Sequence, residues 1–238
     1  MRPRLLALLL LTAVAAPLGA QAPGRGAPAA PATPGTTTDP TFYSVAYIEV
    51  KTSARSAVLQ ALKQYKDACR INTASLRTEV FEQVDRPGHL VLIETWQTQA
   101  AFDTITPPIR KKLTDAIEPI RLSGWDQRPY KTLSVASGAP EPTGRSVFVI
   151  SHVDVTPDPK IAGMLKDLAD KSRLEEGSIR FDVLAHTMRS NHFEVIETWR
   201  SQKALENHAA AAHTRKYRDD IQAALGSPLD ERIYKVIE

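Results

Sequence analysis

Five of the six histidines, His152, His186, His192, His208 and His213, fall in the second half of a 238-residue chain. An imidazole titrates near neutrality and can take or give a proton, so these residues are the first candidates for acid–base work. His208 and His152 are the candidate bases. Trp199 offers a flat apolar wall on which an aromatic ring could stack, with Glu197 two residues before it on the same strand face. His213 and Tyr217 lie four apart on a helix and could close a pocket mouth. Asn207, beside His208, is a further candidate for substrate contact. Arg180 could clamp an anion, although Arg180 and Asp182 share a strand face and a solvent-facing ladder of charges is the default expectation. His192 and His89 follow tight turns and are expected to be exposed.

Other chemistries lack their residues. His208 and His213 are five apart, a spacing that does not place both on one helical face. No HExxH and no partner cysteine accompanies them, so no metal site is expected. No GxGxxG supports a dinucleotide and no GxSxG a hydrolase nucleophile. Cys69 is the only cysteine, so no internal disulfide forms. It ends a helical segment, where a buried thiol is the first expectation and an intermolecular disulfide the second.

An internal repeat must position these side chains. At an offset of 103, ASLRTEVFEQVDRPGHLVLIETWQTQAAF (74–102) falls without a gap on GSIRFDVLAHTMRSNHFEVIETWRSQKAL (177–205). Offsets of 105 and 104 then match YIEV with HVDV and DQRPYKTL with DERIYKVI, as expected of a duplicated domain. The copies act as an internal comparison. Ile105 stands opposite His208 and Tyr47 opposite His152, so imidazoles occupy positions that are otherwise plain core or aromatic.

Each copy reads β-α-β-β-α-β. In the second, SVFVISHVDV is a strand, and a helix follows, capped by Thr156 or Asp158 and ended by Gly177. SIRFDVLAHT and HFEVIETW are paired strands around the MRSN turn. SQKALENHAAAAH is a helix capped by Ser201, TRKYRDDIQAAL a further short one, and LDERIYKVIE the last strand. This is the ferredoxin-like split unit, whose sheet carries helices on one face only. The open face needs cover, and the second copy supplies it. The expected fold class is α+β: tandem ferredoxin-like repeats packed face to face as an intrachain pseudo-dimer.

The ends are read separately. Residues 1–22 have a basic start at Arg2 and Arg4, an apolar run too short to span a bilayer, and small residues before a cut after Ala20 or Ala22. That is a secretory signal, so export to the periplasm or medium is expected, with no stable membrane insertion afterwards. Residues 23–40 form a Pro/Ala-rich tether. The first domain covers 41–135, a linker 136–144 and the second domain 145–238. Loss of Arg2 and Arg4 lowers the formal charge from +3 to +1, and no aromatic–basic stripe remains to suggest nucleic acid.

HVDVTP (152–157), GSIRFD (177–182), VIETW (195–199) and ALENH (204–208), in that order, resemble the antibiotic biosynthesis monooxygenase (ABM) family. The resemblance covers residues 146–225 and, more weakly, 43–133, where LIETW survives but ITPPIRKKL replaces HAAAAHTRKY. It implies a dimeric α+β barrel with a pocket between sheet and helices. Family members usually assemble from two chains, and here both halves lie in one. It also implies oxidation of a phenol or quinol by O₂ without flavin or metal, so no cofactor is expected and the partners are a small aromatic substrate and O₂. A non-catalytic module that binds an aromatic molecule or haem, and a purely structural pseudo-dimer, are the alternatives. Further homo-oligomerisation is left open.

Overall fold

The computed structural model describes residues 39–138 and 145–237; the signal segment, most of the tether and most of the linker lie outside them. The first copy contains β1 (Phe42–Glu49), α1 (Arg55–Arg70), β2 (Ser75–Gln83), β3 (His89–Trp96), α2 (Gln99–Ile117) and β4 (Asp126–Ser134). The second contains β5 (Val147–Asp154), α3 (Lys160–Ser172), β6 (Ser178–His186), β7 (His192–Trp199), α4 (Gln202–Ala210), α5 (Ala212–Ile221) and β8 (Asp230–Ile237). The split βαββαβ order is present in both copies.

The two sheets join at their edges into one closed barrel of order β1-β3-β2-β8-β5-β7-β6-β4. The last strand of each copy makes the joint. β4 pairs with β1 of its own copy and with β6 of the other, placing Tyr130 opposite His186. β8 pairs likewise with β5 and β2. Closure leaves no edge strand among the described residues, which removes the sites at which open sheets aggregate.

Strand alternation then sorts side chains into an inner and an outer core. Tyr43, Val45, Phe81 and Ile93 meet Phe148, Ile150 and Ile196 inside the barrel. Outside, α1 and α2 cover Leu90, Leu92 and Trp96. α3, α4 and α5 cover Val153, Val195 and Trp199. Helix periodicity supplies the matching stripes: Val58, Leu62, Tyr65 and Cys69 are the buried positions of α1. Ile161, Leu165, Leu168 and Ala169 form the buried stripe of α3. Cys69 is fully buried, and burial pushes its thiol up to about 12, as expected of an inert core residue.

Local signals place the ends of these elements. The Thr98 and Ser201 hydroxyls accept the backbone N–H of Ala101 (3.1 Å) and Ala204 (3.2 Å), capping α2 and α4. Asp158 Oδ1 accepts the N–H of Lys160 at 2.8 Å where α3 begins. Gly177 adopts φ +90°, and a Cβ there would lie 2.6 Å from the Ala204 Cβ. The missing side chain therefore lets α4 sit directly on the loop before β6.

The helical segments after β3 and β7 differ in a way their compositions do not suggest. α2 runs unbroken through Pro107 and Pro108. In the second copy, alanine-rich and without proline, the helix breaks at Ala211, whose ψ of 143° is extended. The expected boundary at His213 thus falls earlier, and α5 begins at Ala212. Among the described residues no helix is long and apolar enough to cross a membrane.

Candidate active site

The break at Ala211 assembles the site. α4 carries His208 inward over β7, while α5 starts in a new direction and turns His213 back toward it. Glu175, in the loop between α3 and β6, receives both. Its Oε1 lies 2.6 Å from His208 Nδ1 and 3.0 Å from His213 Nε2. The His208 ring stacks on the Trp199 indole, with centroids 4.6 Å apart and planes 28° apart. The Trp199 N–H donates to Glu197 Oε2 at 2.7 Å, and the same oxygen lies 3.9 Å from His208 Nε2. Thr214 Oγ1 is 3.3 Å from His208 Nδ1.

Burial sets the electrostatics. His208 is 4% exposed, and desolvation lowers its pKa against the pull of Glu175. With the ring neutral and its proton on Nδ1, His208 would donate to Glu175 and keep a lone pair on Nε2. Desolvation also raises Glu197 to about 7, the Trp199 hydrogen bond opposing it only in part. A small cavity of about 20 Å³ adjoins His208, Glu197, Thr214 and Tyr217. It has room for about one water molecule. Burial raises the Tyr217 phenol too.

Four expected site residues, His208, His213, Trp199 and Tyr217, are therefore brought together; three are not. Asn207 is exposed on the outer side of α4. His152 shares a strand face with Phe148 and Ile150 and points into the barrel, on the opposite side of the sheet from His208. Arg180 also faces the barrel interior. The expected solvent-facing ladder is instead a buried cluster, with Arg180 bonded to Asp182 at 2.5 Å and to Glu79 of the other copy at 2.9 Å. Closure of the barrel, which the pattern of a single sheet does not reveal, removed the solvent from that face.

The spacing argument against a metal loses its premise for a related reason. A five-residue spacing separates two histidines on a straight helix, but here the helix is broken. Glu175, His208 and His213 each offer a ligand atom within 4.8 Å of the others.

His152 belongs to a different polar group. Glu194, fully buried, accepts the Tyr130 hydroxyl at 2.8 Å and the Tyr47 hydroxyl. His152 Nδ1 lies 3.4 Å away, and His192 Nδ1 lies 3.4 Å from His152 Nε2. His192 and His89, expected to be exposed, are partly buried instead, each beside an acid: Asp154 at 3.4 Å and Glu49 at 3.2 Å. His152 and Tyr47 line one cavity of about 160 Å³ at this end of the barrel, as their matched positions suggested. Glu175 and Glu194 were missed as site residues. The repeat carried the signal, because Asn72 stands opposite Glu175 and Val91 opposite Glu194.

The barrel with a sheet–helix site defines a class, and sequence comparison agrees. The model of the antibiotic biosynthesis monooxygenase family matches residues 41–105 and 160–220, one stretch in each copy. The chain belongs to that family. It is 26% identical over 86 residues to the putative monooxygenase YcnE of Bacillus subtilis (strain 168), covering 35% of this chain and 90% of that protein. A crystal structure of a putative monooxygenase from Fusobacterium nucleatum superposes with TM-score 0.74 at 16% identity, covering 83% of this chain and 93% of that one. An anthrone oxidase-like protein gives TM-score 0.65 at 13% identity, covering 84% and 92%. At these identities the structural matches establish the fold.

Proposed function

We propose that the second copy is a monooxygenase site that oxidises a small phenol or quinol with O₂, with His208 as the base. The observation that carries this reading is the buried Glu175–His208 pair, which leaves Nε2 with its lone pair beside the Trp199 indole. For a phenol, the hydroxyl proton passes to Nε2 and the phenolate gives one electron to O₂. The two radicals join at a ring carbon as a peroxide, whose O–O bond then breaks. One oxygen stays as the quinone carbonyl, and the other leaves as water with the C–H proton and the proton returned from Nε2. The ring supplies all four electrons, so no added reductant is required. Water exclusion favours the electron transfer, and Glu175 holds the imidazole in the working tautomer. The cavity beside His208, about 20 Å³, has room for a molecule the size of O₂.

O₂ uptake with a quinol tests this. His208→Ala should lower kcat by about 10²–10⁴-fold, while His152→Asn, on the other side of the sheet, should stay near the parent rate. Parent-like turnover by a folded His208→Ala variant would sink the assignment. The leader read in residues 1–22 supports export of this chemistry from the cytoplasm; N-terminal sequencing of the protein recovered after expression should begin at Gln21 or Pro23.

A second reading comes from the first copy. Between α1 and α2 lies a cavity of about 300 Å³ lined by Ala61, Tyr65, Ala68, Ile109 and Leu113 among others. Its size and lining suit capture of a small apolar or aromatic molecule. Saturable quenching of tyrosine and tryptophan fluorescence by such a ligand, lost in Ala68→Trp, would support it.

A further inference from the structure

Glu175, His208 and His213 come from three separate segments, and their convergence is not a by-product of helix spacing. One carboxylate oxygen faces two imidazole nitrogens, at 2.6 and 3.0 Å. A dication could replace the protons between them with little movement. A tetrahedral ion with bonds of about 2.1 Å keeps its ligand atoms about 3.4 Å apart. The two oxygen–nitrogen contacts therefore need to open by less than about 1 Å, and the two imidazole nitrogens start within 4.8 Å of one another.

The donor set specifies the ion. Two imidazole nitrogens and one carboxylate oxygen suit zinc and its first-row neighbours, whereas calcium and magnesium require oxygen ligands. Glu197 Oε2, 3.9 Å from His208 Nε2, stands behind the ligating ring in the place where an accepting carboxylate orients a metal-bound histidine. The His213 and Glu175 side chains, 20% and 16% exposed, leave a path from solvent and a position for water as the fourth ligand. The first copy again serves as a comparison. At the same offset it has Asn72, Ile105 and Arg110, so the scaffold folds with none of the three ligands.

We propose that Glu175, His208 and His213 bind one first-row divalent ion of the zinc type, and that the bound ion switches off His208 as a base. Coordination takes Nδ1, which must give up its proton. The neutral ring then carries its proton on Nε2, the atom that accepts the substrate proton in the metal-free enzyme. The two states are mutually exclusive. The binding site stands on geometry alone; the switch rests on the reading of His208 given above.

Cobalt(II) titration of the metal-free full chain tests the site. One equivalent should bind, develop the visible bands of a four-coordinate nitrogen–oxygen site and be displaced by zinc. His213→Gln and Glu175→Gln should each weaken binding at least about tenfold, whereas His89→Gln should match the parent. His213 is partly exposed, and circular dichroism of its variant confirms that the fold is retained. Absence of saturable binding, or parent-like binding by both ligand variants, overturns the site. Zinc added during O₂ uptake tests the switch separately. Turnover should fall in step with occupancy, and unchanged turnover at full occupancy overturns the switch. If the metal-free chain consumes no O₂ with any quinol, the reading of His208 as a base fails, and the cobalt titration still decides the site.

Discussion

The two copies carry the same carboxylate–indole pair and treat it differently. In the first, Glu94 accepts the Tyr65 hydroxyl at 2.8 Å and the Trp96 N–H at 3.4 Å, with Arg110 at 4.0 Å. In the second, Glu197 has the Trp199 N–H at 2.7 Å and faces His208. The Tyr65 hydroxyl donates to Glu94 and the Arg110 guanidinium can only donate, so the first copy holds its buried carboxylate among donors. A histidine can donate or accept, so the second has a proton that can move. The repeated pair is thus the frame, and the residue placed against it decides whether the frame supports chemistry.

The largest break in this comparison should come at Arg180 and its counterpart Arg77. Arg180 is buried between Asp182 and Glu79, while Arg77 is 31% exposed beside Glu79. Arg180→Ala strands buried carboxylates and should cost about 3–5 kcal/mol, whereas Arg77→Ala should cost under about 1 kcal/mol. Urea denaturation of the two variants measures the difference, and equal losses would contradict an asymmetric seam.

A somewhat smaller effect separates the two buried glutamates, and it depends on pH. Burial raises Glu197 from 4.5 to about 7. A carboxyl with a raised folded-state pKa favours the fold below its unfolded value, and that advantage is lost as pH rises through about 7. Glu197→Gln keeps an acceptor for Trp199 and removes the titration. In chelator-treated protein the variant should match the parent near pH 4 and gain about 3 kcal/mol over it by pH 8. Burial also raises Glu94, but Tyr65 and Arg110 offset it. Glu94→Gln should therefore show the same sign with a shallower slope. Equal slopes would mean that the two carboxylates sit in equivalent environments after all.

The smallest effect should not distinguish the copies. Ser201→Ala and Thr98→Ala each remove a cap from the helix that follows the repeated strand. Each should lower stability by about 1 kcal/mol, measured by thermal unfolding. A clear inequality would show that the frame itself, and not only its occupants, has diverged.

Strand alternation, helix stripes, caps and the repeat offset depend on neighbours in the chain, so the amino-acid sequence determined them: two βαββαβ units, Ser201 at a cap, His208 on an inward-facing position. Barrel closure is a relation between strands of different copies, such as β4 with β6 and β2 with β8, and it decided that Arg180 is buried and that the face carrying His152 looks into a closed interior. The break at Ala211 is likewise tertiary. Alanine is the best helix former and proline the worst, yet the proline-bearing helix runs on and the alanine-rich one ends. Packing of α5 against α3 and the pull of Glu175 on two imidazoles outweigh a local preference of less than about 1 kcal/mol per residue. That turn of the chain places His213 beside His208, and only the folded structure contains it.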